Sequence, residues 1–187
     1  MAKKVITREM ILNAAFELMR KEGADALSVR SIARACDCST QPIYLSFKGI
    51  DEIKAEIYKT SLNYFYKFIE TEISLCQYPE YKAVGMGYVK FAREERELFK
   101  YLFMDIPRAK PDSLNDSFDK SVEIIERSLN VSREVAGRIH TEMWIFGHGI
   151  ATMYVTDFLR FDLDTVSELY TDVYRGITEN LGENNDN

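Results

Sequence analysis

The sequence predicts an all-α fold in two parts, a three-helix segment over residues 1–48 and a larger helical bundle over residues 49–187. Three observations carry this. Only four prolines and nine glycines punctuate 187 residues, and no run of alternating β-branched residues occurs. Apolar residues recur at helical spacing along nearly the whole chain. Neither proline nor glycine interrupts the stretch between Gly49 and Pro79, which leaves room for one helix of about 25 residues starting at residue 50.

The elements follow in order. Thr7 is placed to cap a first helix whose apolar face is Ile11, Leu12, Ala15, Phe16, Leu18 and Met19, and Gly23 ends it. Ser28 is placed to cap a second, in which Val29, Ile32, Ala33 and Cys36 keep helical spacing. Asp37 and Cys38 break that pattern, and Ser39 stands where it would cap a third helix over Ser39–Ser46, with Pro42 in the first turn. Phe47 closes the unit, Lys48-Gly49 makes the connection, and Asp51 and Glu52 suit the positive end of the long helix. Beyond Pro79 the pattern predicts helices over Tyr81–Arg93 and Glu94–Met104, then an exposed loop, RAKPD, around Pro107 and Pro111. A helix from Asp112 or Ser113 to Leu129 follows, with Phe118, Val122, Ile125 and Leu129 spaced for burial. Ser132 opens a helix reaching about Leu159, and Asp164 would cap a last one over Thr165–Leu181. The terminal GENNDN has the composition of a disordered tail.

The pair of short helices between Leu27 and Phe47 is the stretch that points to function. The expected outward positions of the second are Thr40, Gln41, Tyr44 and Ser46. Short polar donors and acceptors at the start of a short helix are what a helix entering a DNA major groove requires. The stretch reads as a helix-turn-helix with its recognition helix at Ser39–Ser46. Charge agrees once it is divided. The chain carries −6 overall, but residues 1–54 hold nine Lys/Arg against seven Asp/Glu, a balance of +2 that includes Lys3 and Lys4, and the remainder carries −8. An acidic body keeps away from phosphates while a basic head meets them. The longest uncharged apolar segment, Met143–Thr156, is shorter than the ~20 residues that span a bilayer. The N-terminus lacks a signal peptide's apolar region, and three cysteines do not make a disulfide framework, so a reducing cytoplasm is expected.

The run TREMILNAAFELMRKEG, then SVRSIARACDCSTQPIYLSF, then KGIDEIKAEI, resembles the DNA-binding domain of TetR-family transcriptional repressors over the first ~55 residues. The resemblance implies base-facing positions at Arg30, Thr40, Gln41 and Pro42, and positions meeting phosphate or groove edges at Tyr44, Ser46 and Lys48. Ser28 and Ser39, at the two expected helix starts, complete the candidate DNA surface. One departure is local: the family's usual Ala-Gly-Val before the recognition helix is here Cys36-Asp37-Cys38. Blander readings stand beside these. Tyr44 could pack on the first helix, Gln41 could be an ordinary surface residue, and Arg30 could form a surface ion pair. Cys36, Cys38 and the lone Cys76 read as buried packing, since two thiols two residues apart cannot close a metal site without further ligands. No metal and no cofactor are expected.

Aromatic residues are spread through the body, and Phe65, Phe68, Tyr88, Phe91, Phe103, Trp144 and His148 are candidate linings for a small-molecule effector pocket, against the reading that large rings fill a core. Gly147 and Gly149 lie inside an expected helix, where each costs about 1 kcal/mol relative to Ala, so close approach to a neighbouring helix is expected at both. The segment around Trp144 and His148 resembles the Trp…His-Gly signature of one TetR subgroup. The resemblance further implies a homodimer through the helices near 132–159 and 165–181, a near-palindromic double-stranded DNA operator and release by a small molecule. No catalytic residue stands out: neither His140 nor His148 follows a Glu by three residues, as a di-metal carboxylate bundle would need. The competing class is a helical protein-interaction adaptor without DNA binding, and an activator is a variant within the favoured one.

Overall fold

A computed structural model describes residues 5–104, 112–158 and 160–183, the side chains of 112–117 and 182–183 excepted. Lys3, Lys4, the loop at Pro107–Pro111, Leu159 and the last four residues of the chain lie outside it. Among the described residues the fold is all-α, without strands.

The helices are α1 (Arg8–Glu22), α2 (Val29–Ala35), α3 (Gln41–Ser46), α4 (Ile50–Ser74), α5 (Glu80–Glu94), α6 (Arg96–Phe99), α7 (Asp112–Leu129), α8 (Arg133–Val155) and α9 (Leu163–Glu183). A 3₁₀ turn at Ala24–Ala26 precedes α2, and α6 continues as a π-helical turn, Lys100–Met104. The chain divides into two compact units, one of Met1–Tyr66 with Glu95–Ile106, the other of Lys67–Glu94 with Pro107–Asn187.

Several caps are those the sequence indicates. The Thr7 hydroxyl accepts from the Met10 N–H, Gly23 ends α1 at φ 83°, and the Ser132 hydroxyl accepts from the Val135 N–H. Ser28 forms a reciprocal capping box with Ser31. The 25-residue α4 runs from Ile50 as expected.

Other expectations are corrected. Ser39 does not cap the third helix; Thr40 occupies that position, and its carbonyl accepts from the Ile43 and Tyr44 N–H groups without a side-chain cap. The expected helix over Glu94–Met104 starts two residues later, at Arg96 after its N-cap Glu95, and turns π-helical from Lys100. The last helix starts at Leu163, because the Asp162 carboxylate, not Asp164, accepts from the Thr165 N–H and hydroxyl. It continues into Gly182 and Glu183, the start of the tail expected to be disordered. The α8 helix stops at Val155, and Asp157 follows in a left-handed conformation. Of the four residues of α7 spaced for burial, Val122 and Ile125 are buried while Phe118 and Leu129 are exposed.

In the first unit, Ile11, Ala15 and Met19 of α1 pack with Ile32, Ala33, Ile43 and Phe47 in a small core, all buried. A polar tie lies beside it. Arg20 of α1 makes a two-point ion pair with the buried carboxylate of Glu95, which also accepts from the Tyr64 hydroxyl at 2.9 Å. Glu95 thus both starts α6 and binds it to α1. In the second unit the core joins Met86 and Val89 of α5, Val122 and Ile125 of α7, Ile139, Met143 and Ile150 of α8, and Val166 and Tyr170 of α9.

Two glycines explain how α9 approaches so closely. A Cβ on Gly147 would meet the Tyr170 hydroxyl at 2.1 Å, and one on Gly85 would meet the edge of the same ring at 2.4 Å. The Tyr170 ring is therefore clamped between α5 and α8. Gly149 does not have this role within the chain, since nothing stands within 4 Å of its missing Cβ.

Candidate nucleic-acid interface

The geometry of α3 follows from its six residues. Ile43 and Phe47 turn into the small core, so the opposite side faces solvent: Gln41 is exposed, Tyr44 is 61% exposed and Leu45 81% exposed. Thr40 and Ser46, read from the sequence as outward, are half-buried, as is Pro42. Ser28, Arg30, Ser39 and Lys48 are exposed. The Ser28 hydroxyl is engaged in its capping box.

The end of α3 is held from α1. The Arg8 guanidinium donates to the Ser46 carbonyl at 2.7 Å and to the Glu52 carboxylate at 3.2 Å, and lies 3.9 Å from the centre of the Phe47 ring. The Lys48 backbone N–H donates to Glu52 at 2.8 Å. That hydrogen bond, with Arg8, holds the Glu52 carboxyl below the usual carboxylate range. Arg8 thus satisfies a carbonyl at the C-terminal end of α3. Sequence reasoning missed Arg8, whose partners lie 38 and 44 residues away, and Leu45, although its place two residues from both Ile43 and Phe47 sets it on the opposite side of α3 by helical spacing.

The turn before α3 is made by Asp37 at φ 52°, in the left-handed region that glycine or a short Asp favours. Cys36 is buried and Cys38 half-buried, while Cys76 is exposed and left-handed after α4, which corrects its expected burial. Among the described residues no group of three or more His, Cys, Asp or Glu is placed to hold a metal ion, and no helix is long and apolar enough to cross a membrane.

The effector-lining candidates fall into two sets. Phe65 and Phe103, in the first unit, are in edge contact at 5.1 Å between centroids. In the second, Phe68 meets Phe91 at 5.4 Å, the Tyr88 hydroxyl and His148 Nδ1 are hydrogen-bonded at 2.9 Å, and Trp144 stacks on His148 at 5.3 Å. Phe91, Phe65 and Tyr88 are buried, whereas Trp144 is 46% exposed. Burial holds the His148 imidazolium disfavoured and raises the Tyr88 hydroxyl pKa.

A second Tyr–His pair, Tyr81 with His140 Nδ1 at 2.9 Å, lies in the same unit, and burial lowers His140 to about 4. An unfolded histidine titrates near 6.5. Between these values the unfolded chain binds the extra proton, so the stability due to neutral His140 is complete above about pH 6.5 and is lost as pH falls towards 4, about 3 kcal/mol in all. Denaturant melts of the wild type should show this slope and His140→Gln should flatten it.

The comparisons with known proteins bear on these elements directly. The family model for bacterial regulatory proteins of the tetR family matches residues 11–57, which hold α1 from Ile11 onward, α2 and α3. The model for the tetracyclin repressor-like C-terminal domain matches residues 81–175, which is more than half of the 187-residue chain. The chain belongs to the TetR family. As a TetR-family protein it is a DNA-binding transcriptional regulator, and its domains are those of a regulator rather than an enzyme. Solved structures share the fold. A protein of unknown function from Rhodococcus sp. RHA1 superposes with a TM-score of 0.74 at 22% identity, over 90% of this chain and 94% of that one. A TetR-like transcriptional regulator from the same organism gives 0.64 at 15%, over 95% and 99%. NalD, the secondary repressor of the MexAB-OprM multidrug efflux pump in Pseudomonas aeruginosa, gives 0.51 at 19%, over 90% and 94%. A search of curated proteins finds no match. Within the TetR family, Asp37 stands where glycine is usual, and its left-handed backbone accounts for that preference.

Proposed function

We propose that this TetR-family chain is a ligand-released repressor that binds a near-palindromic operator as a homodimer. Residues 1–48 read the DNA, and residues 49–187 carry effector binding and dimerisation. The observation that carries the reading is the outward face of α3, which sets Gln41, Tyr44 and Leu45 in solvent over a buried Ile43 and Phe47. Gln41 contacts an adenine edge, for which its amide is well suited. Arg30, Thr40 and Pro42 face bases beside it, Tyr44, Ser46 and Lys48 meet phosphate or groove edges, and Ser28 and Ser39 border the same surface.

Dimerisation joins α8 and α9 to their two-fold mates. Ile145 of α8 is 60% exposed, and the missing Cβ atoms of Gly149 on α8 and Gly176 on α9 face open space. Glycine inside a helix is costly unless something approaches it, and a second copy supplies that approach. An effector bound among the body aromatics releases DNA by favouring a spacing of the two heads that does not match the operator. That NalD is a repressor supports this direction of control.

The test is selection from a random duplex pool by the wild type and Gln41→Ala in parallel. The wild type should enrich two inverted half-sites, and Gln41→Ala should weaken or alter one position in each. Enrichment of no sequence at low salt would favour the adaptor reading.

A further inference from the structure

Leu45 stands outside the core that Ile43 and Phe47 enter. Single exposed leucines are ordinary on protein surfaces. This one is 81% exposed on α3, four residues from exposed Gln41 and next to exposed Tyr44. Side chains at i and i+4 lie on one face of a helix, about 5–6 Å apart at Cβ. No charged residue occurs between Gln41 and Ser46, so this face offers an amide and two methyl groups rather than a cation for phosphate.

In the major groove only thymine presents a methyl group, and apolar side chains recognise it by contact. We propose, building on the regulator reading, that Leu45 is a specificity-determining residue: its methyl groups pack on a thymine C5-methyl one or two base pairs from the adenine that Gln41 contacts. One helical turn rises about 5.4 Å and a base-pair step about 3.4 Å, which sets that separation. The half-site is therefore read as an A·T-rich step, by hydrogen bond at one position and by methyl contact at the other.

The experiment uses duplexes enriched by the full chain. Each thymine of a half-site is replaced in turn by deoxyuridine, which removes only the methyl, and each adenine by 7-deazaadenine, which removes the N7 acceptor. For the wild type, one deoxyuridine position should weaken binding about fourfold, and roughly fifteenfold when both half-sites carry it. Leu45→Ala should bind thymine and deoxyuridine duplexes alike, and Gln41→Ala should be indifferent to 7-deazaadenine within two base pairs of that thymine. Leu45 is exposed, so its removal leaves the core intact, checked by thermal melting. Wild-type binding indifferent to every thymine methyl, or Leu45→Ala keeping the full deoxyuridine effect, overturns the inference and leaves the regulator reading standing. Sensitive positions more than two base pairs apart overturn the shared face. Failure to enrich any duplex overturns the regulator reading and this inference with it.

Discussion

Ile145→Asp is expected to convert the protein from dimer to monomer and to weaken operator binding by about 100-fold or more, because one reading head then holds one half-site without the effective concentration that linkage provides. Ile145 lies on the exposed side of α8 with Gly149, and the neighbouring surface groove is lined by Arg138, Glu142, Val173, Gly176, Ile177, Asn180 and Leu181 from α8 and α9. In the proposed dimer a carboxylate at this position would be desolvated opposite its own copy. Light scattering after size exclusion reads the mass, and far-UV dichroism confirms that the helices persist. A dimer of undiminished affinity with Asp at 145 would place the interface elsewhere.

Gly147→Ala is expected to destabilise the body by about 1–3 kcal/mol, even though alanine is the better helix former by about 1 kcal/mol. The new Cβ would stand 2.1 Å from the Tyr170 hydroxyl, and the ring cannot swing aside because Gly85 crowds its edge from α5. Tyr170 is 5% exposed, so the misfit cannot be relieved into solvent. Combining Gly147→Ala with Tyr170→Phe, which deletes the clashing oxygen, should recover most of the loss. A melt in which Gly147→Ala raises the midpoint would show that the clamp is loose.

These cases mark what is legible in the sequence. Thr7, Gly23, Ser28 and Ser132 are caps that act on residues three or four positions away, and they lie where local pattern places them. The 25-residue α4 follows from the absence of breakers. Gly147 announces a close approach, but not that its partner is Tyr170, 23 residues on. Partners set by tertiary packing are not legible. Glu95 reads as an ordinary helix residue until Arg20, 75 residues away, is found on it. Local competition also misleads: Asp162 and Asp164 are both good caps, and docking of α9 through Val166 and Tyr170 places the helix start beside the first. In the candidate DNA surface helical spacing places Gln41 and Tyr44 outward, as observed, but Thr40 and Ser46, read the same way, are half-buried. Leu45 is also placed outward by its spacing from Ile43 and Phe47, but an apolar side chain carries no sign in the sequence of what it meets there.

The claim that two α3 helices of a dimer read one near-palindrome is tested most directly by sedimentation of the wild type with its enriched duplex, beside a duplex with one half-site scrambled. Two chains per duplex are expected, with half-sites whose centres lie about one helical turn or a whole multiple of it apart, and loss of about 100-fold or more in affinity on scrambling either half. One chain per duplex, with affinity unchanged by scrambling one half-site, would contradict it.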